Sequence, residues 1–139
     1  MASDEAGLWG WLRDVVLPIG HYSRIESPET APGFPDVDYL VEGRPGKIEL
    51  KHSHGRTKPP FRNEDDGLHK SQRIWIREHV RNGGTVWIFL EIKDQVLIIP
   101  GNYASKINGN LLTWLEEIAV ASLPITEPRK AAQILKELL

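Results

Sequence analysis

The chain is 139 residues long with a formal charge of −2, 40% apolar and 26% charged residues, a length and apolar content that fit one domain over 1–139 and exclude an intrinsically disordered chain. It has no cysteine, which excludes disulfide scaffolds, zinc ribbons, iron–sulfur clusters and thiol nucleophiles. No apolar run approaches the ~20 residues that span a bilayer, and the acidic start is unlike a basic leader. A soluble, intracellular chain with no membrane partner is therefore expected.

Ser3 or Asp4 can cap a first helix, in which Leu8, Trp9, Leu12, Val15 and Val16 keep the helical period until Pro18 and Gly20. A short strand over 21–26 and a breaker-rich loop over 27–35 follow. Residues 37–42 and 47–51 read as strands joined by Gly43-Arg44-Pro45-Gly46, then 52–66 as a polar loop. The next helix is expected over 67–82, stopped by Gly83-Gly84. The segment 85–92, TVWIFLEI, is β-branched, aromatic and apolar on both faces, as suits a strand in the middle of a covered sheet. After a turn at Lys93-Asp94, 96–99 reads as a strand. Helices near 110–121 and 128–138 finish the chain, with Pro128 in the first turn of the second. The expected architecture is α/β, a small mixed sheet flanked by helices.

Chemistry concentrates in Asp36 and in Glu49-Leu50-Lys51. Residues two apart on a strand share a face, so Glu49 and Lys51 project together. If the hairpin pairs even positions of one strand with odd positions of the other, Asp36 joins them. The same register gathers Val37, Tyr39, Val41, Ile48 and Leu50 into one apolar layer, which favours it over a one-residue slip. Two carboxylates and a lysine suit metal-assisted phosphodiester cleavage. The carboxylates are hard oxygen ligands for Mg²⁺, or Mn²⁺ as its substitute, and the lysine can orient water or stabilise charge on phosphoryl oxygens.

Charge is divided unevenly along the chain. Residues 1–43 hold two basic and eight acidic side chains, whereas 44–81 hold ten basic and five acidic, with four histidines. A basic centre suggests a surface that faces a polyanion, although it also fits a solvated helix and loop. Lys70, Arg73 and Arg77 on the helix, with Arg56, Lys58 and Arg62 in the preceding loop, can track phosphates. His52 and His54 read better as solvated loop residues than as metal ligands. Glu64-Asp65-Asp66 reads as the charge complement of the helix start.

The stretch GFPDVDYLVEGRPGKIELK, followed by LHKSQRIWIREHVRNGGTVWIF, resembles the PD-(D/E)XK nuclease superfamily, in particular VRR-NUC domains and the archaeal-type and phage Holliday junction resolvases. The resemblance implies a restriction-endonuclease-like core, with Asp36 and Glu49 as metal ligands and Lys51 as the catalytic lysine. It also implies a fourth acid: Glu5 on the first helix, whose other reading is a helix-dipole partner, with Glu26 as rival and Asp38 a weaker one. Gln72 shares the helix stripe that faces the sheet. The family reading points it at the metal site, toward Lys51 or a metal-bound water, and the plainer reading is an amide satisfied by nearby backbone.

The activity implied is that of a Mg²⁺-dependent endodeoxyribonuclease selecting DNA by structure, with a four-way junction as the specific substrate. A sequence-indifferent repair, flap or restriction-like nuclease is the alternative, and a catalytically inert DNA-binding module is the alternative of another class. A junction resolved by paired nicks implies a homodimer. Leu111, Leu112, Trp114, Leu115, Ile118, Ile134, Leu135, Leu138 and Leu139 read either as its interface or as the rest of the core. The resemblance places such a protein in the cytoplasm, on the nucleoid, or in the host cytoplasm if phage-encoded.

Overall fold

The computed structural model describes residues 5–16, 20–26, 32–53 and 58–139, apart from the side chains of Glu5 and Val16. The first helix is α1 (Glu5–Val16), followed by strands β1 (His21–Arg24), β2 (Val37–Val41) and β3 (Arg44–His52). Helix α2 (Lys70–Arg81) crosses over to β4 (Val86–Ile92), and β5 (Gln95–Pro100) leads through a 3-10 helix (Gly101–Lys106) to α3 (Leu112–Ile118). Strand β6 (Ala121–Pro124) and helix α4 (Pro128–Leu138) complete the chain. The six strands lie in sequence order in one sheet, and β3 with β4 is its parallel pair. This is the expected α/β architecture of a mixed sheet flanked by helices.

Pleating divides the central strands between two apolar layers. Ile48, Leu50 and Phe89 pack with Leu8, Leu12 and Val15 of α1 and Leu135 of α4. Ile88, Leu90 and Ile92 pack on the other side with Ile76 of α2, Leu115 of α3 and Leu68. Each such fully buried side chain contributes about 1.5–3 kcal/mol, which is why a strand apolar on both faces sits at the sheet's centre. Strand β3 departs from this rule. Its inner-layer residues are apolar toward α1, but the row toward α2 is Lys47, Glu49 and Lys51.

The hairpin takes the register that builds the apolar layer. Val37 pairs with Ile48 and Asp38 with Lys47, so even positions meet odd ones. Its turn is not Gly43 to Gly46 as expected but the two residues Glu42-Gly43, both with positive φ, 49° and 80°. That geometry matches the strand twist, and it draws Arg44 and Pro45 into β3. Pro45 is tolerated because it precedes the first β4 pairing, Lys47 with Val86, and its missing N–H leaves no partner unsatisfied.

Two further expectations are corrected. Helix α2 begins at Lys70, with Gln72 Oε1 accepting the His69 N–H at 2.9 Å, so Glu64-Asp65-Asp66 does not form its first turn. The Asp66 carboxylate instead accepts the N–H groups of Arg62 and Asn63. Burial alone would raise its pKa, but those backbone bonds outweigh it and hold the group below the ordinary aspartate value. Downstream, α3 stops at Ile118 because Ala121–Pro124 pairs with β5 as an edge strand. The terminal apolar residues are largely used inside the protein. Leu115, Leu135 and Leu139 are buried, and Leu112, Trp114, Ile118, Ile134 and Leu138 pack partly buried on the two layers. Of the set, Leu111 alone is mostly exposed, at 57%, so these residues offer little spare surface for a dimer interface.

Among the described residues, no helix is long and apolar enough to cross a membrane.

Candidate functional site

Asp36, Glu49 and Lys51 come together on the α2 side of the sheet, where β2 begins and the parallel pair β3–β4 approaches its carboxyl ends. In open α/β sheets, that end is where ligands bind. Asp36 stands one residue before β2, and its Oδ2 accepts the Leu50 N–H at 2.8 Å. The side chain thus takes over from the β2 ladder where that strand leaves β3. Its Oδ1 meets the Arg24 guanidinium at 2.9 Å, and Arg24 also donates to the Asp36 carbonyl at 3.0 Å.

The Gly-Phe-Pro lead-in is what aims Asp36. Gly33 has φ +85°, and a Cβ there would stand 2.2 Å from the Ser71 carbonyl oxygen, so only glycine lets this loop rest on the first turn of α2. Phe34 then packs edge-on against Trp75, with ring centroids 4.8 Å apart, and Lys47 Nζ lies 5.7 Å from the Phe34 centroid. Beyond Trp75 the ring of His79 stacks at 4.6 Å. Burial, then the Lys47 charge, lowers the His79 pKa.

Glu49 is 1% exposed and Lys51 7%. Lys51 Nζ lies 3.9 Å from Glu49 Oε2, which also accepts a hydrogen bond from Gln72 Nε2 at 3.2 Å. Gln72 is thus held at both ends, its oxygen accepting a backbone N–H and its amide donating to Glu49. Its side-chain partner is Glu49, not Lys51.

The fourth-acid candidates separate. Glu26 is exposed, two residues past Arg24, and Asp38 is engaged by Lys47 at 2.6 Å. Glu5 opens α1 in the layer opposite Glu49, and its side chain lies outside the described residues. Two anionic oxygen ligands on adjacent strands fit in kind a hard divalent cation that keeps several waters. Among the described residues, no group of three or more His, Cys, Asp or Glu side chains is arranged to hold a metal.

His52 is not a solvated loop residue. It ends β3, and its Nδ1 lies 2.8 Å from Oε1 of Glu91, a carboxylate 1% exposed on the α1 side of the sheet. Neither this pair nor Arg24 stands out in the sequence. The available signal was Glu91 itself, a lone acid in an apolar central strand, where a buried charge requires a partner. His54 and Arg56 lie outside the described residues.

The remaining basic candidates form no single track. Lys58 and Arg62 are exposed on the loop before α2, with Arg62 near Asp66 at 3.6 Å. Arg73 meets Glu64 at 3.3 Å. Lys70, Arg73 and Arg77 line a groove on the flank of α2 that faces the 3-10 helix.

No protein-family model matches the sequence, and no curated protein does.

Proposed function

We propose that the chain is a metal-dependent, structure-selective DNA endonuclease of PD-(D/E)XK type, acting on four-way junctions. The observation that carries this reading is the β2–β3 register, which sets Asp36, Glu49 and Lys51 on one face with Gln72 bonded to Glu49. Asp36 and Glu49 would hold Mg²⁺ or Mn²⁺, which would polarise the phosphoryl group and acidify a water. The Leu50 N–H and Arg24 fix the Asp36 carboxylate, so little reorganisation is needed when a phosphate arrives. Gln72 holds Glu49 in place from the helix side. Lys51, an ammonium beside a buried carboxylate, supplies positive charge to the non-bridging phosphate oxygens.

A second reading, a sequence-indifferent nuclease working as a monomer, is favoured by one observation: eight of the nine terminal apolar residues are buried or partly buried within the protein itself. The homodimer belongs to the junction reading and is tested by sedimentation. Incubation with a four-way junction, a fork and a linear duplex, each in Mg²⁺ or EDTA, decides among the readings. Paired junction nicks that require Mg²⁺ support the first. Equal cutting of all three supports the second. DNA binding with no cleavage in either buffer leaves an inert module, and full activity in EDTA refutes the metal site.

A further inference from the structure

Helix α2 carries two unlike stripes. Gln72, Trp75, Ile76 and His79 turn toward the sheet and the Gly33–Phe34 loop. Lys70, Arg73, Arg77 and Arg81 fall, at 3.6 residues per turn, roughly 150° around the axis from them. This second stripe faces the 3-10 helix across a groove of about 570 Å³, whose other wall includes Asn102 and Ser105. Ile74, 41% exposed, lies within it, and no acidic side chain among the described residues lines it.

The charges there are not cancelled. Arg77 and Arg81 approach Glu78 at 3.6 and 3.4 Å, and Arg73 approaches Glu64 at 3.3 Å, but both acids are about half exposed. Such surface pairs are worth about 0–1 kcal/mol and yield readily to a denser anion. From Lys70 to Arg81 the stripe runs about 16 Å, at 1.5 Å per residue. A single phosphate needs donors that converge on one point, whereas four cations in a line match a chain of phosphates.

We infer that this groove binds the phosphodiester backbone of a DNA segment other than the one at Asp36 and Glu49. The inference rests on the nuclease reading for the choice of DNA as the polyanion. Because the two stripes lie on opposing flanks of α2, a strand in the groove is displaced from the carboxylates, and the protein holds two segments at once. A branched DNA offers two arms in that relation and a short linear duplex does not. Selection is then by DNA shape, with phosphate contacts and no base contacts.

The test is fluorescence anisotropy with a labelled four-way junction and a labelled linear duplex over a range of salt, in EDTA so that cleavage plays no part. Arg77→Ala/Arg81→Ala removes two of the four cations. The slope of log K against log salt for the junction should fall by about 2, at about 0.9 per phosphate contact. The preference for junction over duplex should drop at least about tenfold, since two charge-assisted contacts are lost. The charge-conserving Arg77→Lys/Arg81→Lys variant should keep the wild-type slope, which separates charge loss from misfolding. Junction affinity and slope unchanged in the alanine variant would overturn the inference, as would a wild-type protein that binds neither DNA. The nuclease reading fails separately, by absence of Mg²⁺-dependent cutting while this binding persists.

Discussion

Two carboxylates, Glu49 and Glu91, are each 1% exposed on neighbouring parallel strands, yet they face opposite sides of the sheet and keep different company. On the α1 side, His52 Nδ1 approaches Glu91 Oε1 at 2.8 Å, and the Glu91 carbonyl accepts the Ser53 N–H. On the α2 side, the Lys51 ammonium is 3.9 Å from Glu49 Oε2, beyond hydrogen-bond reach of that oxygen, and a neutral amide makes the 3.2 Å contact. Equal burial thus conceals two tasks. The short His52–Glu91 contact locks the ends of β3 and β4 together. The longer Lys51–Glu49 spacing is the one that the proposed function assigns to the metal and the phosphate.

The contrast is broken most directly at Glu91. Glu91→Ala leaves a space beside His52 and removes a buried, hydrogen-bonded partner, so the protein should lose about 3–5 kcal/mol, read from urea midpoints. Glu49→Gln should behave differently. It keeps the shape and the Gln72 neighbour, so the urea midpoint should fall less than in Glu91→Ala, while on the proposed nuclease reading junction nicking falls by about 10²–10³-fold. On the proposed nuclease reading, Lys51→Ala should show the same loss of rate, because it removes the charge that reading assigns to the phosphate. Matching destabilisation in Glu91→Ala and Glu49→Gln, with nicking intact in the latter, would erase the distinction.

The two sides were unequally legible in the sequence. The Glu49 side was readable because period-two alternation and an apolar layer of Val37, Tyr39, Val41, Ile48 and Leu50 together allow one register. The Glu91 side was not. TVWIFLEI reads as an apolar run, and β3 extends one residue further than its pattern shows, taking His52 out of the loop. Arg24 escaped notice because its partner Asp36 lies across a strand pairing that spacing does not reveal. Strand β6 is four residues long with a proline and no alternation, so only its pairing with β5 defines it.

A smaller effect sharpens the α2 side. Gly33→Ala sets a Cβ against the Ser71 carbonyl at a positive φ, so the loop must lift or the helix must shift. About 1–3 kcal/mol of stability should be lost, the usual cost of a residue held in a strained backbone region. Because Asp36 follows three residues later, on the proposed nuclease reading nicking should fall more than stability does, whereas Glu91→Ala should lower the fraction folded without slowing the folded molecules. Single-turnover rates corrected for the folded fraction separate the two.

The smallest expected effect is a pH dependence belonging to the α2 side. His79 stacks on Trp75 near Lys47, and burial, then that charge, places its pKa below the ordinary histidine value. Between its lowered folded value and the unfolded value near 6.5, the unfolded chain binds more protons than the folded one. Stability from this group therefore rises with pH through that interval and is level above it. On acidification below about 6.5 the protein should weaken, and the loss should level off once the folded ring also protonates. His79→Gln removes the titration and keeps a polar side chain, so its urea midpoint should change less between about pH 7.5 and pH 5 than that of the wild type. Lys47→Met should reduce the slope in part, by removing the second cause while leaving burial. Parallel midpoint profiles for wild type and His79→Gln would show that the acid sensitivity does not arise at His79.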